Sequence, residues 1–221
     1  VSVNDFLESL EDSIDDAVIG VPRDYFFEGG DCEIVDIVDK SLQVFSDLGA
    51  HLQEVKFPDC ALAYEAADAT FSEIVDANGD VLKEDPEGFS DEFRQRYRSV
   101  EQYRGKAYEA AQIYRREFKN EVENVMRHCD VLATPTSTVV AAPVQSQPPD
   151  HAKELRKNCC IFNFTGQPSI SIPCGFTQAG LPVGLMLTGG ALKDSTVLRF
   201  ARAFERATPW HRRHPPEAIE Q

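Results

Sequence analysis

The stretch that decides the fold begins with Ala17-Val18-Ile19-Gly20-Val21, a short apolar run that ends at Pro22. Such a run predicts a buried strand. Asp31 then precedes apolar residues at helical spacing, which predicts a helix with Asp31 as its N-cap. Gly49 stands where a helix C-terminus favours glycine, so the helix is expected to end just before it.

A second strand is expected from His51 to Phe57, with Leu52 and Val55 facing the core and Pro58 ending it. Strand, helix and strand in close succession form one βαβ unit. The two strands of such a unit run parallel because the helix carries the chain back across the sheet. The fold class is therefore predicted to be α/β.

Further elements follow from periodicity and turn residues along the chain. They are a short acidic helix over 3–15, helices over 59–84, 100–128 and about 150–160, and a strand at 131–133. The helix over 100–128 is expected to be the longest. Asn78-Gly79 and Pro86-Glu87-Gly88 are expected to interrupt helical structure, and 134–150 is expected to be a long irregular loop.

The last third contains an alternating strand over 170–173 and a return strand at 185–187, joined as a hairpin. Asp194 is expected to cap a final helix that continues through Ala207. Residues 1–221 are taken as one domain, with 209–221 as a loose tail.

Composition narrows the function. The chain has 221 residues with 42% hydrophobic and 27% charged residues, which is typical of a globular protein. Its net charge is −15, of which the first 92 residues carry −21. An acidic protein binds nucleic acid and anionic membranes poorly. No apolar run approaches the roughly 18 residues of a membrane span, and the acidic N-terminus does not resemble a signal peptide.

One local basic cluster, Arg94, Arg96, Arg98, Arg104 and Lys106, interrupts the acidic background. It is interpreted either as a solvated helix face that balances the acidic half, or as the source of an arginine that reaches a substrate or structural carboxylate.

Nothing in the sequence announces a nucleophile, a metal or a cofactor. G-x-S-x-G, phosphate-loop and H-E-x-x-H patterns are missing from the sequence. Ser169 and Ser171 lie two residues apart on a predicted strand and are interpreted as strand residues. The six cysteines form no C-x-x-C pair, so reduced thiols in a cytoplasmic protein are expected.

Glycines at 166, 175 and 189–190 indicate close approach of the backbone to something else. Asn163, three residues before Gly166, either clamps a local turn or presents its amide to a substrate.

Three ordered segments carry a family resemblance: Ile19-Gly-Val-Pro-Arg-Asp-Tyr-Phe-Phe, Cys129-Asp-Val-Leu-Ala-Thr-Pro-Thr, and Asn163-Phe-Thr-Gly-Gln-Pro-Ser-Ile-Ser-Ile-Pro-Cys-Gly. With Gly180-Leu-Pro-Val-Gly and Asp194-Ser-Thr-Val-Leu after them, the chain resembles the C-terminal half of the amidase signature family across about residues 3–210. The resemblance implies a mixed β-sheet covered by helices on both faces.

The resemblance also implies a reaction. Family members cleave carboxamide C–N bonds to a carboxylate plus ammonia or an amine through a serine acyl-enzyme. They use a nucleophilic Ser, a second Ser on a cis peptide, and a Lys that is kept neutral. This triad belongs to a Gly-Ser-Ser-Gly stretch in the family's other half, and this chain has no Ser-Ser dipeptide. No catalytic residue is therefore expected here, and the isolated chain is expected to be inactive.

What the resemblance leaves to this chain is part of the substrate pocket. The residues expected there are Arg96, Thr134, Thr136, Asn163, Gly166 and Pro168. The expected partners are a small-molecule amide, the missing N-terminal half of the domain, and a second copy of the chain as a homodimer. No nucleic acid, membrane, metal or cofactor is expected.

Two departures bear on specificity. Arg156 stands where the family's glutamine-using amidotransferases have an acidic residue that grips the substrate amino group, and an arginine would repel an ammonium. Met186 stands where a Gln is frequent. The arginine favours a general amide hydrolase over the A subunit of a glutamine-dependent tRNA amidotransferase, whereas the methionine has no functional interpretation from the sequence. A non-catalytic binding module that retains the fold is the third hypothesis.

Overall fold

The computed structural model describes residues 5–99, 103–146, 148 and 150–215. Within them, the strands are β1 (Val18–Val21), β2 (His51–Glu54), β3 (Val131–Pro135), β4 (Ser169–Phe176) and β5 (Pro182–Gly189). The helices are α1 (Cys32–Asp47), α2 (Ala61–Glu84), α3 (Asp91–Ser99), α4 (Lys106–Met126), α5 (His151–Thr165) and α6 (Asp194–Ala207). The strands form one mixed sheet in the order β2-β1-β3-β5-β4.

The predicted βαβ unit is confirmed: β1 and β2 run parallel, and α1 connects them. The Asp31 side chain accepts a hydrogen bond from the Glu33 N–H at 2.9 Å, and Gly49 follows the helix with φ +91°. Leu52 was expected inside but is 38% exposed. Leu52 lies on the edge strand β2, opposite buried Ile19 of β1. An edge strand has a neighbouring strand on one side only, which leaves Leu52 more exposed.

The sheet changes direction at its centre. β3 pairs parallel with β1 and antiparallel with β5, and β4 completes the predicted hairpin. All five residues of β3 are buried because strands flank it on both sides. The carboxylate of Asp130 accepts a hydrogen bond from the Val18 N–H at 2.8 Å, which ties the start of β3 to β1.

Helices cover both faces of the sheet, as predicted. On the first face, α1 and α6 pack against Ile19, Val131, Ala133, Leu185 and Leu187 in one apolar core. On the second face, α4 and α5 pack against Leu132 and Met186, and the aromatic rings of Phe26, Phe57, Phe118 and Phe162 fill this second core.

Two predicted helices are wrong in extent. Residues 6–11 make turns, whereas a helix over 3–15 was expected; Glu11 is held there by ion pairs with Arg202 and Arg206 of α6. Residues 100–102 of the expected helix over 100–128 lie outside the described residues, and α4 begins at Lys106, directly after Gly105 with φ +63°. Among the described helices, α2 with 24 residues is longer than α4 with 21.

The expected break at Asn78-Gly79 is also wrong, because α2 passes through it. Gly79 is buried in the helix, where a Cβ atom would meet the Tyr97 hydroxyl at 3.5 Å. That distance is an ordinary van der Waals contact, so the structure gives no steric reason for a glycine at this position. Pro86 does end helical structure, in a short 3-10 turn.

Two further boundaries move. α5 runs on to Thr165, so Asn163 lies in a helix and not in a loop. Asp194 is the first residue of α6, and Lys193 occupies the N-cap position. Beyond α6, Trp210–Arg212 form a 3-10 turn, and the Trp210 ring lies 6.1 Å from that of Phe176. Residues 216–221 of the expected loose tail lie outside the described residues. Among the described helices, none is both long and apolar enough to cross a membrane.

Candidate functional site

The second face of the sheet carries a row of hydroxyl groups near the ends of the central strands. Thr134 on β3 pairs with Met186, which pairs in turn with Ser171 on β4, so these three side chains point to the same face. Thr136 and Ser171 share a hydrogen bond of 2.6 Å between their hydroxyl oxygens. Ser169 and Thr188 share another of 2.8 Å.

We call Thr136, Ser169, Ser171 and Thr188 the hydroxyl row. Of these four residues, Ser169 and Ser171 are exposed. Gly184 is required between the members of the first pair, because a Cβ atom there would lie 2.7 Å from Ser171 Oγ and 2.8 Å from Thr136 Oγ1. Beside this pair lies an open cavity of about 370 Å³, which Leu155 of α5 also lines. The Thr136 and Ser171 end of the row therefore borders a space that a small molecule can enter.

Helix α5 holds the strand end that carries Thr136. The side-chain amide of Asn158 is fully buried and donates to the carbonyl oxygens of Pro135 at 2.8 Å and of Phe26 at 3.0 Å. The thiol of Cys159 donates to the Thr136 carbonyl oxygen at 3.6 Å. Sequence reasoning missed Asn158; its signal is an amide directly before the apolar run Cys159-Cys160-Ile161-Phe162 of a helix, where a buried polar side chain needs partners.

The same helix also fixes the loop that follows β1. Tyr25 adopts φ +64°, which is unusual for a residue with a Cβ atom. Its hydroxyl donates to the Lys157 carbonyl oxygen at 3.4 Å, and Lys157 Nζ donates to the Glu28 carbonyl oxygen at 2.9 Å. The neighbouring Phe26 ring stacks on Phe162 at 5.3 Å. Burial raises the pKa of Tyr25 above its ordinary range, so this phenol stays protonated.

A second polar region lies where α2, α3 and α5 meet. Arg96 forms an ion pair with Asp68 at 2.5 Å, and its guanidinium lies 4.1 Å from the centre of the Phe71 ring. Lys153 of α5 places its Nζ 5.4 Å from the centre of the Tyr64 ring. We call Lys153, Arg156 and Arg96, with Tyr64 between them, the cationic cluster.

Burial and the nearby charges shift the pKa of Tyr64 and of Cys160. Burial raises the pKa of Tyr64. Arg156 and Arg96 lower this pKa, whereas Cys160 and Asp68 raise it further. Burial likewise raises the pKa of the Cys160 thiol, which the same two arginines lower. The cluster thus surrounds one phenol and one thiol that both remain protonated at neutral pH.

The structure places the expected pocket residues in two groups and not in one. Thr134 and Thr136 lie at the end of β3, and Thr134 is 1% exposed. Asn163 is exposed on α5, and it follows Arg156 and Cys160 at helical spacing on one side of the helix. Arg96 belongs to this second group through its contacts with α2.

Gly166 and Pro168 have backbone roles. Gly166 ends α5 with φ +82°, and its N–H donates to the Phe162 carbonyl oxygen at 2.7 Å. The carbonyl oxygen of Pro168 accepts from the Gly189 N–H at 2.9 Å. Gln167 between them is 6% exposed, and its side-chain amide has no hydrogen-bond partner in the described part of the chain.

The hydroxyl groups of the row have other hydroxyl groups, and not bases, as their hydrogen-bond partners. A serine needs a base to become a nucleophile. Burial raises the pKa of Cys60 to about 12 and that of Cys129 and Cys174 to about 11, so these thiols are not nucleophiles at neutral pH. No group of three or more metal-ligating side chains occurs among the described residues.

Comparison with known proteins gives this arrangement a context. The family profile described as Amidase matches residues 1–198. The A subunit of the glutamyl-tRNA(Gln) amidotransferase of Chloroflexus aurantiacus is 32% identical over 241 aligned positions, which cover 97% of this chain and 49% of that protein.

Two solved structures share the fold. A bacterial aryl acylamidase superposes with a TM-score of 0.77 at 24% identity, over 96% of this chain and 47% of the other. The A subunit of the Thermotoga maritima glutamyl-tRNA(Gln) amidotransferase superposes with a TM-score of 0.69 at 26% identity, over 95% and 46%. The chain therefore spans about half the length of the proteins it matches.

Proposed function

The chain belongs to the amidase signature family, and from this premise we propose that it forms the substrate-side wall of an enzyme that hydrolyses carboxamides. In this proposal the serine nucleophile and its lysine come from the portion of the domain outside this chain. The substrate is a small molecule, and its amide is cleaved to a carboxylate plus ammonia or an amine. The chain contributes recognition, and the isolated chain has no hydrolytic activity.

The observation that carries the proposal is the hydroxyl row beside its cavity. A carboxamide offers both N–H donors and a carbonyl acceptor, and a hydroxyl group can donate and accept at once. Thr136 and Ser171 present two such groups at the cavity wall, on a strand end that Asn158 holds in place. A wall that is rigid and bifunctional is suited to orient an amide for attack from the opposite side.

The test compares the isolated chain with a longer protein that includes the family's serine-containing half. A fluorophosphonate probe and a panel of linear amides report the nucleophile and turnover. The longer protein is expected to be labelled and to release ammonia, and the isolated chain is expected to do neither. Labelling and turnover by the isolated chain would overturn the assignment of roles.

A matched pair of variants tests the wall itself. In the longer protein, Ser171→Ala should lower kcat/KM by about 10-fold, the equivalent of one lost hydrogen bond, while probe labelling persists. Ser13→Ala removes an exposed hydroxyl that accepts a hydrogen bond from the Asp15 N–H in its own turn and does not line this cavity, so it should leave kcat/KM unchanged. Equal effects of both variants would contradict a substrate role for the row.

A second candidate function is favoured by the relatives' names. The 32%-identical relative is the A subunit of a glutamyl-tRNA(Gln) amidotransferase, so this chain would belong to a glutamine-hydrolysing protein that works with partner subunits. Glutamine hydrolysis that appears only with such partners would support this function. Arg156, which is exposed on α5, argues against it, because a cation repels the α-ammonium group of glutamine.

A further inference from the structure

One wall of the cavity beside the hydroxyl row is made by the loop that follows β3. Val139, Val140 and Ala141 of this loop line the cavity, and we call these three residues the wall segment. They lie within the irregular loop that the sequence predicts over 134–150. The shape of the cavity therefore depends on how this loop is held.

Two hydrogen bonds, one on each side, hold the wall segment. Before it, the carbonyl oxygen of Thr138 accepts from the Asp31 N–H at 3.0 Å. After it, the Ala142 N–H donates to Nε2 of the His151 ring at 3.2 Å. Among the described residues, this second bond is the one hydrogen bond that joins any part of 139–146 to an element outside the loop. The His151 ring thus ties the far end of the wall segment to α5.

The position of His151 suits this role. It is the first residue of α5 and is 8% exposed. Its own N–H donates to the Pro148 carbonyl oxygen at 3.0 Å, so its backbone and its ring both contact the loop. The same helix holds the strand end beneath Thr136 through Asn158. Helix α5 therefore fixes two sides of the cavity, one through each of these side chains.

The two bonds that hold the wall segment respond differently to pH. The bond at Thr138 joins backbone groups, which do not titrate. The bond at Ala142 needs a ring nitrogen without a proton, because a protonated imidazole is a donor at both nitrogens and accepts nothing. Histidine is the side chain that ordinarily changes its charge between about pH 5 and pH 8. Protonation of His151 therefore breaks the second bond and leaves the first intact.

No other ionisable side chain belongs to the loop, since 134–149 contains none. The ionisable groups at the start of α5 and on the elements in contact with α5 or with the loop are Asp150, Lys153, Glu154, Tyr64, Glu28 and Asp31. In the described part of the chain, none of their side chains hydrogen-bonds to the wall segment. His151 is thus the titratable group through which pH reaches this wall of the cavity.

We propose that His151 is a positioning residue, whose neutral ring holds the wall segment against α5 and whose protonation releases the segment and weakens substrate binding in the cavity. On release, the Ala142 N–H passes from the ring to water. The effect on substrate rests on the proposed function, whereas the release of the loop does not depend on it.

Hydrogen exchange of the loop amides tests the release directly. It is measured by mass spectrometry in the serine-containing longer protein between about pH 7.5 and pH 5.5, with correction for the chemical effect of pH on exchange. Protection at Ala142 should fall about 3- to 10-fold, the size of one hydrogen bond. His151→Gln supplies an acceptor that does not titrate and should keep the protection, whereas His151→Phe should lack it at both pH values. Constant protection in the unaltered protein, or a fall that persists in His151→Gln, overturns the proposal.

A matched control and a second readout keep the outcomes separate. His128→Gln, the same change at an exposed position, should behave like the unaltered protein. For the neutral amide butyramide, the ratio of KM to that of His151→Gln should rise about 3- to 10-fold at the lower pH, while the ratio of kcat stays constant. Loop release without any hydrolysis supports the role of His151, and the proposed hydrolysis alone then fails. Hydrolysis with a constant KM ratio overturns the effect on binding and leaves the hydrolase assignment standing.

Discussion

The two faces of the sheet differ in what they bury. The face covered by α1 and α6 is almost wholly apolar: Phe45 packs its ring 5.3 Å from Phe204 and 6.3 Å from Phe200. The face covered by α5 buries polar groups as well. Thr134 Oγ1 and Asn158 Oδ1 lie there without hydrogen-bond partners in the described part of the chain. The first face contributes stability, and the second gives up part of its stability to place polar groups beside a cavity.

The largest expected effect is the loss of stability from a substitution in the apolar face. Phe45 is 0% exposed, so Phe45→Ala should lower the free energy of unfolding by about 3–5 kcal/mol through lost burial and the cavity left behind. Phe6→Ala is the matched control, because Phe6 is 41% exposed, and its cost should stay below about 1 kcal/mol. Urea denaturation measures both variants. Equal costs would show that this face is not the stabilising one.

The next effect concerns the anchor of the polar face. Asn158→Ala leaves the carbonyl oxygens of Pro135 and Phe26 without their shared donor, which should cost about 2–3 kcal/mol. Asn163→Ala changes the same residue type on the exposed side of the same helix and should cost less than about 0.5 kcal/mol. A larger cost for Asn163 than for Asn158 would contradict the assignment of Asn158 as the anchor.

Alkaline pH should lower the free energy of unfolding through Cys174, which is buried on the apolar face. Burial raises the pKa of Cys174 from 9.0 to about 11, so the folded state holds this proton when the unfolded state has lost it. The contribution of Cys174 to the free energy of unfolding is fully present below pH 9. It falls by about 1.4 kcal/mol per pH unit between pH 9 and pH 11. Cys174→Ala should flatten that part of the pH profile, whereas Cys32→Ala, at an exposed position, should not.

The smallest expected effect lies in the hydroxyl row. The Thr136–Ser171 hydrogen bond joins the end of β3 to β4 across Gly184 of β5 at an exposed position. A double-mutant cycle with Thr136→Val and Ser171→Ala should therefore give a coupling of about 0.2–1 kcal/mol. These substitutions should thus affect substrate recognition more than folding. A coupling above about 2 kcal/mol would assign the pair to the structural core.

Much of the fold could be predicted because its signals are local. Asp31, Gly49 and the apolar spacing between them define α1, and alternation defines the β4–β5 hairpin. Two glycines show where local signals fail. Gly105 precedes α4 with φ +63°, whereas Gly79 lies inside α2 with a helical backbone, and the residue type alone does not distinguish the two.

The candidate site was less accessible to prediction for the same reason. The resemblance identified Arg96 and Asn163, but the partner of Arg96 is Asp68, 28 residues away. Asn158 bonds to Phe26, which is 132 residues away. Contacts of this kind depend on how helices cross, so only the folded arrangement shows that Arg156, Arg96 and Tyr64 share one place.

The hydrogen bond between Val18 and the carboxylate of Asp130 spans 112 residues, and this has a consequence for the order of folding. Pairing of β1 with β3 requires closure of that long loop, whereas the β4–β5 hairpin closes over a short turn near Gly180. Loop closure costs more entropy as the loop lengthens, so the hairpin can form early and the β1–β3 junction late. Amide protons of β1 should therefore gain protection from exchange after those of β5 during refolding.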